Sequence, residues 1–205
     1  MKLFFRQSGF TILETLMVIA IIGVVATIAI PQVSNSVTYF RLSGDARSVS
    51  NAVALAKMRA ASNFSKTRIY VSTASGWHRI ERADSNTPPH WTAEGGVTYL
   101  NASSSFSSGS VSSPPPNSQA AVANAAACRN DAGTAIAGTA CIVFNSRGVP
   151  VRPDVAGTTY TTSSDNVLYV TDSGQSAIYG ITVAATGMIR MWQTLPTATP
   201  EWTTQ

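Results

Sequence analysis

Charge is scarce in this chain of 205 residues: Asp, Glu, Lys and Arg together make up 12% of it, about half the share of a typical soluble domain. With 44% apolar residues, that balance suits a membrane segment joined to a polar, uncharged exterior, and argues against an ordinary cytosolic enzyme. Histidine is nearly absent. His78 and His90 have no metal-ligand spacing between them or to the cysteines. The abundant serines form no Gly-x-Ser-x-Gly elbow, no phosphate-cradling glycine loop follows a strand, and no Asp-rich calcium loop occurs. Neither a catalytic constellation nor a cofactor or metal is expected. Cysteine is limited to Cys128 and Cys141. The pair is not Cys-x-x-Cys, and an even count in a chain that leaves the cytoplasm favours a structural disulfide. Its 14-residue loop is worth about 3 kcal/mol by chain entropy.

The formal charge of +4 is unevenly placed. Lys2 and Arg6 stand ahead of the first apolar run, and without them +2 remains. From Ser62 onward eight basic residues face eight acidic ones, so the high pI does not by itself imply a nucleic-acid partner.

One long apolar run is present. Phe10 to Ile30 holds a single charge, Glu14, and as a helix is about 31 Å long, matching a bilayer core of about 30 Å. The positive-inside rule keeps Lys2 and Arg6 cytoplasmic and sends the C-terminal bulk outward. Three readings compete. A conventional signal peptide needs a small-x-small cleavage site beyond the run, and Thr27-Ile28-Ala29 is a poor one. A plain anchor leaves Glu14 unexplained, since an acidic residue at the centre of a bilayer helix costs about 2.5–3.5 kcal/mol even on insertion scales. Cleavage between Gly9 and Phe10 instead creates an α-ammonium at Phe10, four residues before Glu14. That ammonium, on the same chain or a neighbour, partners the carboxylate in low dielectric and sets register between chains.

The segments Gly9-Phe10-Thr11-Ile12-Leu13-Glu14, Leu16 to Gly23 and Ala29-Ile30-Pro31 resemble the class III signal of type IV pilins and type II secretion pseudopilins. The resemblance covers about 23 residues. It implies cutting after Gly9 by a prepilin peptidase, N-methylation of Phe10, docking through Glu14 and a helix kink at Pro31. It also implies a bacterial inner-membrane precursor, spanning once with its head in the periplasm. That precursor would join a periplasmic or extracellular filament through an assembly platform, its partners being other pilins or pseudopilins and inner-membrane lipid.

Beyond Pro31, Leu42, Ala46, Val49, Val53, Ala56 and Ala60 recur at helical spacing, with Arg41, Asp45, Arg47 and Lys57 off the stripe, which predicts a narrow amphipathic helix continuing to about Ala61. Gly44 is its weak point. Strand patterns follow at Thr67–Val71, Trp77–Glu81, Val97–Leu100, Cys141–Phe144, Val149–Val151, Val167–Val170, Ala177–Ala184 and Met188–Trp192, with turns at Ser75-Gly76, Asn145–Gly148, Ser173-Gly174 and Thr186-Gly187. Asn101 to Ala127, with Pro114-Pro115-Pro116, reads as a long loop that buries little apolar surface. The expected fold class is α+β, a long N-terminal helix on an antiparallel β-rich head. Its expected divisions are a leader at 1–9, a membrane or filament-core helix at 10–30, an amphipathic half at 31–62 and a head at 63–205 with a Ser/Ala/Pro-rich loop at about 101–140.

Within the pilin superfamily, Ile142-Val143-Phe144-Asn145-Ser146-Arg147-Gly148 and Gly187-Met188-Ile189-Arg190 are similar to two hairpin motifs of the GspH/FimT type. That resemblance implies a low-abundance subunit at the filament tip or an initiator. Some FimT-type pilins bind DNA through Gly-Arg-x-Arg in the last hairpin. This chain keeps one of the two arginines, Arg190, which forms a small patch with Arg147 and Arg152 if the hairpins adjoin. A neutral head neutralises few phosphates, so a filament subunit is the first reading and a pilus-borne DNA receptor the alternative. Nothing in the sequence supports an anchored enzyme.

Overall fold

The structure, a computed structural model, describes residues 11–84, 89–153, 159–163, 166–197 and 199–205, apart from the side chain of Pro31. Among the described residues, one helix, α1 (Ile12–Ser62), precedes eleven strands. By its contacts the chain divides into two units, Met1–Thr38 and Tyr39–Gln205.

In the first unit, α1 begins where Thr11 caps it: the Glu14 amide donates to Thr11 Oγ1 at 3.2 Å, satisfying one of the helix's orphan N–H groups. Thr15 and Thr27 donate their hydroxyls to the carbonyls of Ile12 and Val24 at 2.8 and 2.7 Å. Polar side chains that satisfy themselves within the helix are what an apolar surrounding demands. The helix runs on through Pro31, whose ring removes one backbone hydrogen bond.

In the second unit, the rest of α1 lays its stripe on two antiparallel sheets. Leu42, Ala46, Val49, Val53, Ala56 and Ala60 have no exposure at all. The first sheet has the order β3-β2-β1-β5-β6-β7 and the second β11-β10-β9-β8-β4. The strands of the first are β1 (Thr67–Ser72), β2 (Trp77–Ala83), β3 (Trp91–Tyr99), β5 (Thr139–Phe144), β6 (Pro150–Pro153) and β7 (Tyr160–Thr162). Those of the second are β4 (Ser104–Ser105), β8 (Val167–Asp172), β9 (Ile178–Val183), β10 (Ile189–Thr194) and β11 (Thr203–Thr204). Ile69 and Val71 of β1, Ile142 and Phe144 of β5, Leu168 and Val170 of β8, and Tyr179, Ile181 and Val183 of β9 join the helical stripe in one core. Three alanines in that stripe let the helix approach the sheets closely.

The region after Asn101 departs from its expected reading. It contains few regular elements, but Phe106, Val111 and Ala125 are buried. Val111 packs with Val167, Tyr169 and Ile178, and with Trp202 of the tail, in a second small core. Residues alternate along a strand, so β8 and β9 serve both cores, which is why every residue in them is buried. Gly180 makes the docking possible: a Cβ there would stand 2.9 Å from Pro115 Cγ. The loop is a strap over a sheet face, and its polar composition hides the few apolar anchors that hold it.

Three other details differ from the sequence reading. Strand β3 begins at Trp91, six residues before the Val97 start read from side-chain pattern, and carries a register irregularity opposite His78 and Ile80. Strands β4, β7 and β11 are too short to show a pattern. Asp45, placed off the apolar stripe, is buried and accepts from the Asn101 amide at 3.1 Å and its side-chain nitrogen at 2.8 Å.

Candidate functional site

The first unit carries the residues singled out at the N-terminus. Gly9 and Phe10 lie outside the described residues. Glu14 sits in the first turn of α1 and is exposed; a carboxylate there interacts favourably with the positive end of the helix dipole. Around it, from Ile12 to Ile30, Thr15 and Thr27 are the other polar side chains, and the rest of the helix surface is apolar and exposed. Ile12 and Leu13 are 81% and 78% exposed, and Leu16, Ile19, Ile22, Val25, Ile28 and Ile30 are exposed as well. The most apolar window reaches a mean hydropathy of 2.5 with none of it buried. Each such side chain gains about 1.5–3 kcal/mol when removed from water, so this surface calls for lipid or for the helices of other chains. Among the described residues no cation pairs with Glu14.

In the second unit, Cys128 and Cys141 form a disulfide with their Cα atoms 4.9 Å apart. It ties the loop to β5, and backbone hydrogen bonds from Cys141 to Ala126 and from Ile136 to Cys128 hold the enclosed segment. The two hairpin motifs meet. Gly148 and Gly187 adopt φ of +72° and +81°, and a Cβ on Gly187 would fall 2.5 Å from the Gly148 carbonyl oxygen. Lys57 of α1 lies against both turns and donates to the Gly187 carbonyl at 2.8 Å. The three arginines proposed as a patch do not share a cavity. Arg152 lines one of about 270 Å³ with Arg68 and Arg129. Arg190 lines another of about 630 Å³ with Arg47. Arg147 is exposed in the β5–β6 turn.

Sequence reasoning missed a buried charge network. Arg68 and Glu81 stand opposite each other in the β1–β2 register and are 4% and 2% exposed. Arg68 Nε donates to Glu81 Oε2 at 2.6 Å, Arg79 Nε to Glu81 Oε1 at 2.7 Å, and an Arg68 terminal nitrogen to the Arg129 carbonyl at 2.6 Å. The Trp91 ring lies 4.0 Å from the Arg68 guanidinium carbon. Burial pulls Arg68 below the ordinary guanidinium range while Glu81 opposes that shift. The available clue was opposite charges at facing positions of two strands joined by a tight turn.

The histidines have separate surroundings. His90 lies exposed between Asp84 and Asp131, at 3.5 and 3.6 Å. His78 is buried, edge-on to Phe106 with ring centroids 6.3 Å apart, and its Nδ1 has no hydrogen-bond partner. Burial lowers its pKa from the ordinary 6.5, Asp45 opposing. The unfolded chain therefore binds a proton first as pH falls through 6.5. His78 costs no stability above that value, and below it costs up to about 1.4 kcal/mol per pH unit until its folded value is reached. Thermal unfolding between pH 7.5 and 5 should accordingly show a shallower pH slope for His78→Phe than for the wild type; equal slopes would refute the assignment. Among the described residues no group of three or more His, Cys, Asp or Glu is placed to hold a metal.

Residues 4–30 match the prokaryotic N-terminal methylation motif. Neither the curated proteins nor the solved structures yield a match to the chain. A methylation motif of this kind implies processing by a prepilin peptidase and assembly with other pilins, the work of a structural subunit. A class III prepilin signal leading into one long helix and then antiparallel sheets supports a type IV pilin-like protein.

Proposed function

We propose that the chain is a minor pilin or pseudopilin, cut after Gly9, methylated at Phe10 and built into a type IV pilus or type II secretion pseudopilus at its tip or as an initiator. Before assembly the α1 segment up to about Ile30 anchors it in the inner membrane with the head in the periplasm. The observation that carries this reading is the methylation motif on a helical segment, Ile12 to Ile30, that is exposed along its apolar length and carries a single charge, Glu14. An anchor needs the apolar surface alone; a filament subunit also needs a polar group to fix its register with the next chain. A neutral head, and arginines divided between two cavities, favour the structural role over nucleic-acid binding.

Mass spectrometry of the mature chain from membranes of cells with a prepilin peptidase tests the processing. The expected N-terminus is Phe10, methylated, and Gly9→Val should leave the longer precursor uncut. A mature chain beginning at Met1, or beyond Ile30, would be incompatible with the proposal.

A further inference from the structure

Phe64 comes just after α1 and, among the described residues of the second unit, is the most exposed large apolar side chain, at 81%. Its backbone φ is +51°, in the left-handed region that a bulky residue rarely enters. A chain leaving a helix often takes that conformation for one residue, and glycine or asparagine ordinarily fills it. Here asparagine stands one place earlier, at Asn63, and phenylalanine takes the turn. The head thus carries backbone strain and an aromatic ring in water at one position, with little burial in return. Strain of this kind marks residues that serve a contact.

A cavity of about 270 Å³ opens at the same end of the head. Val143 and Val151 of the first sheet, both nearly buried, lie at its floor. Ala126 and Ala127 are exposed at its rim, and Trp91 and Tyr160 bring aromatic rings to it. Arg68, Arg129 and Arg152 line it too. A guanidinium receives the face of an aromatic ring, and Arg68 already holds Trp91 in that way at 4.0 Å. Phe64 is not among the residues lining the cavity of its own chain, yet it stands close by. Lys66, next but one in sequence, places its ammonium 4.4 Å from the centre of the Tyr160 ring.

That closeness decides the symmetry. A knob and a hole at opposite ends of a head stack copies head to tail, whereas a knob beside its hole suits a two-fold pair in which each copy gives and receives. We propose that two copies of this chain pair reciprocally, Phe64 of each seated in the Trp91–Tyr160 cavity of the other. The size fits, since a cavity of about 150 Å³ already admits benzene. Exposed Asp84 and Asp131 stand at this end as well as Lys66 and Arg152, so facing copies meet both signs of charge. Area sets the strength. A phenylalanine buries about 150–250 Å², so two exchanges with their cavity walls bury roughly 600–1,000 Å². That is short of the roughly 1,200 Å² at which stable complexes begin. The pair is therefore weak between free chains and forms between copies held at high local concentration in one membrane. It goes beyond the filament reading and does not depend on it.

The test uses the full chain in membranes. One copy carries p-benzoylphenylalanine in place of Phe64 and is co-expressed with a second, affinity-tagged copy. Irradiation should link position 64 to the tagged chain, and mass spectrometry should place the link within residues 126–135 or 143–153. Ala127→Arg on the tagged chain puts a long side chain at the mouth of the cavity without touching its floor, and should lower the yield about tenfold, the scale of losing an aromatic anchor. Links confined to the photoreactive chain itself, to lipid or to other proteins overturn the proposal, as does an Ala127→Arg copy that is linked as well as the unaltered one. A second measurement concerns the strain. Phe64→Asn suits the left-handed turn, so the urea midpoint of the full chain in detergent should stay level or rise. A clear fall would tie Phe64 to its own fold and overturn the proposal too. A link that forms in a chain never recovered in filaments leaves the pair standing and the filament reading fallen; filaments without the link show the reverse.

Discussion

Glu14→Ala should be inserted and trimmed like the wild type yet be nearly missing from filaments. The alanine removes the one carboxylate from an apolar run, so insertion becomes easier, by up to about 2.5–3.5 kcal/mol if the residue lies at mid-bilayer. It does not remove the helix start, because Thr11 supplies the cap through the Glu14 backbone amide and not through its side chain. Membrane levels should therefore stay within about twofold. Docking is where the loss belongs. A carboxylate and an α-ammonium 4 Å apart attract by roughly 4 kcal/mol at an effective dielectric of 20, and leaving one of them unpaired in an apolar interface forfeits that attraction. At about 1.4 kcal/mol per factor of ten, half of it lowers incorporation more than tenfold. Glu14→Gln keeps the shape without the charge and should fail like alanine, whereas Glu14→Asp should partly succeed. The readout is the ratio of sheared-filament subunit to processed membrane subunit. A glutamine variant that assembles at the wild-type ratio would show that charge is not what the position supplies.

Periodicity reported most faithfully where one face of an element is buried against a wide surface. Every residue of the stripe from Leu42 to Ala60 is at zero exposure, because a helix lying on two sheets buries a single row of side chains and polar residues occupy the rest. The strands at the centre of each sheet were legible for the same reason. What escaped depended on partners distant in the chain. The strap after Asn101 is held by Val111, Val122 and the close approach of Pro115 to Gly180, and no local pattern in a Ser-rich segment foretells which apolar residue finds a sheet. In the early part of β3, Trp91 to Gly96, four of six residues are glycine, alanine or glutamate, and the segment lies on a sheet edge; its strand conformation comes from pairing with β2, not from propensity. The prepilin signal was legible because it is local, with the Gly-Phe junction, the lone carboxylate and the apolar length all falling within one stretch. The arginines lay at the other extreme. Arg190 was placed with Arg147 and Arg152 on the adjacency of two hairpins; the turns do adjoin at Gly148 and Gly187, but Arg152 and Arg190 open into different cavities.

The head's largest single-residue vulnerability should be Glu81. Its carboxylate is almost wholly buried and takes both guanidiniums, Arg68 from the facing position of β1 and Arg79 from two residues before it on β2. Glu81→Ala leaves Arg68 in place, 5% exposed at its side chain, with no carboxylate and only neutral groups, the Arg129 carbonyl and the faces of Trp91 and Tyr70 among them, to receive its charge. Breaking a buried pair from one side costs about 3–5 kcal/mol, a large part of the roughly 5–15 kcal/mol by which a domain is held folded. For a chain of this size that lowers the melting temperature by about 6–20 °C. The complementary expectation separates the cost of an orphaned charge from any net worth of the pair. Replacing both partners, as Arg68→Met with Glu81→Leu, removes the two desolvation penalties together and should bring stability back to within about 1–2 kcal/mol of the wild type. Arg68→Met alone should cost less than Glu81→Ala, because the carboxylate it leaves still has Arg79, itself a third exposed. Urea unfolding of the full chain in detergent, followed by tryptophan fluorescence, measures all four proteins on one scale, with Trp91 packed on the very guanidinium in question. A Glu81→Ala chain with an unchanged midpoint would mean that water or a rearranged Arg68 meets the charge, and that the network does not carry the load assigned to it.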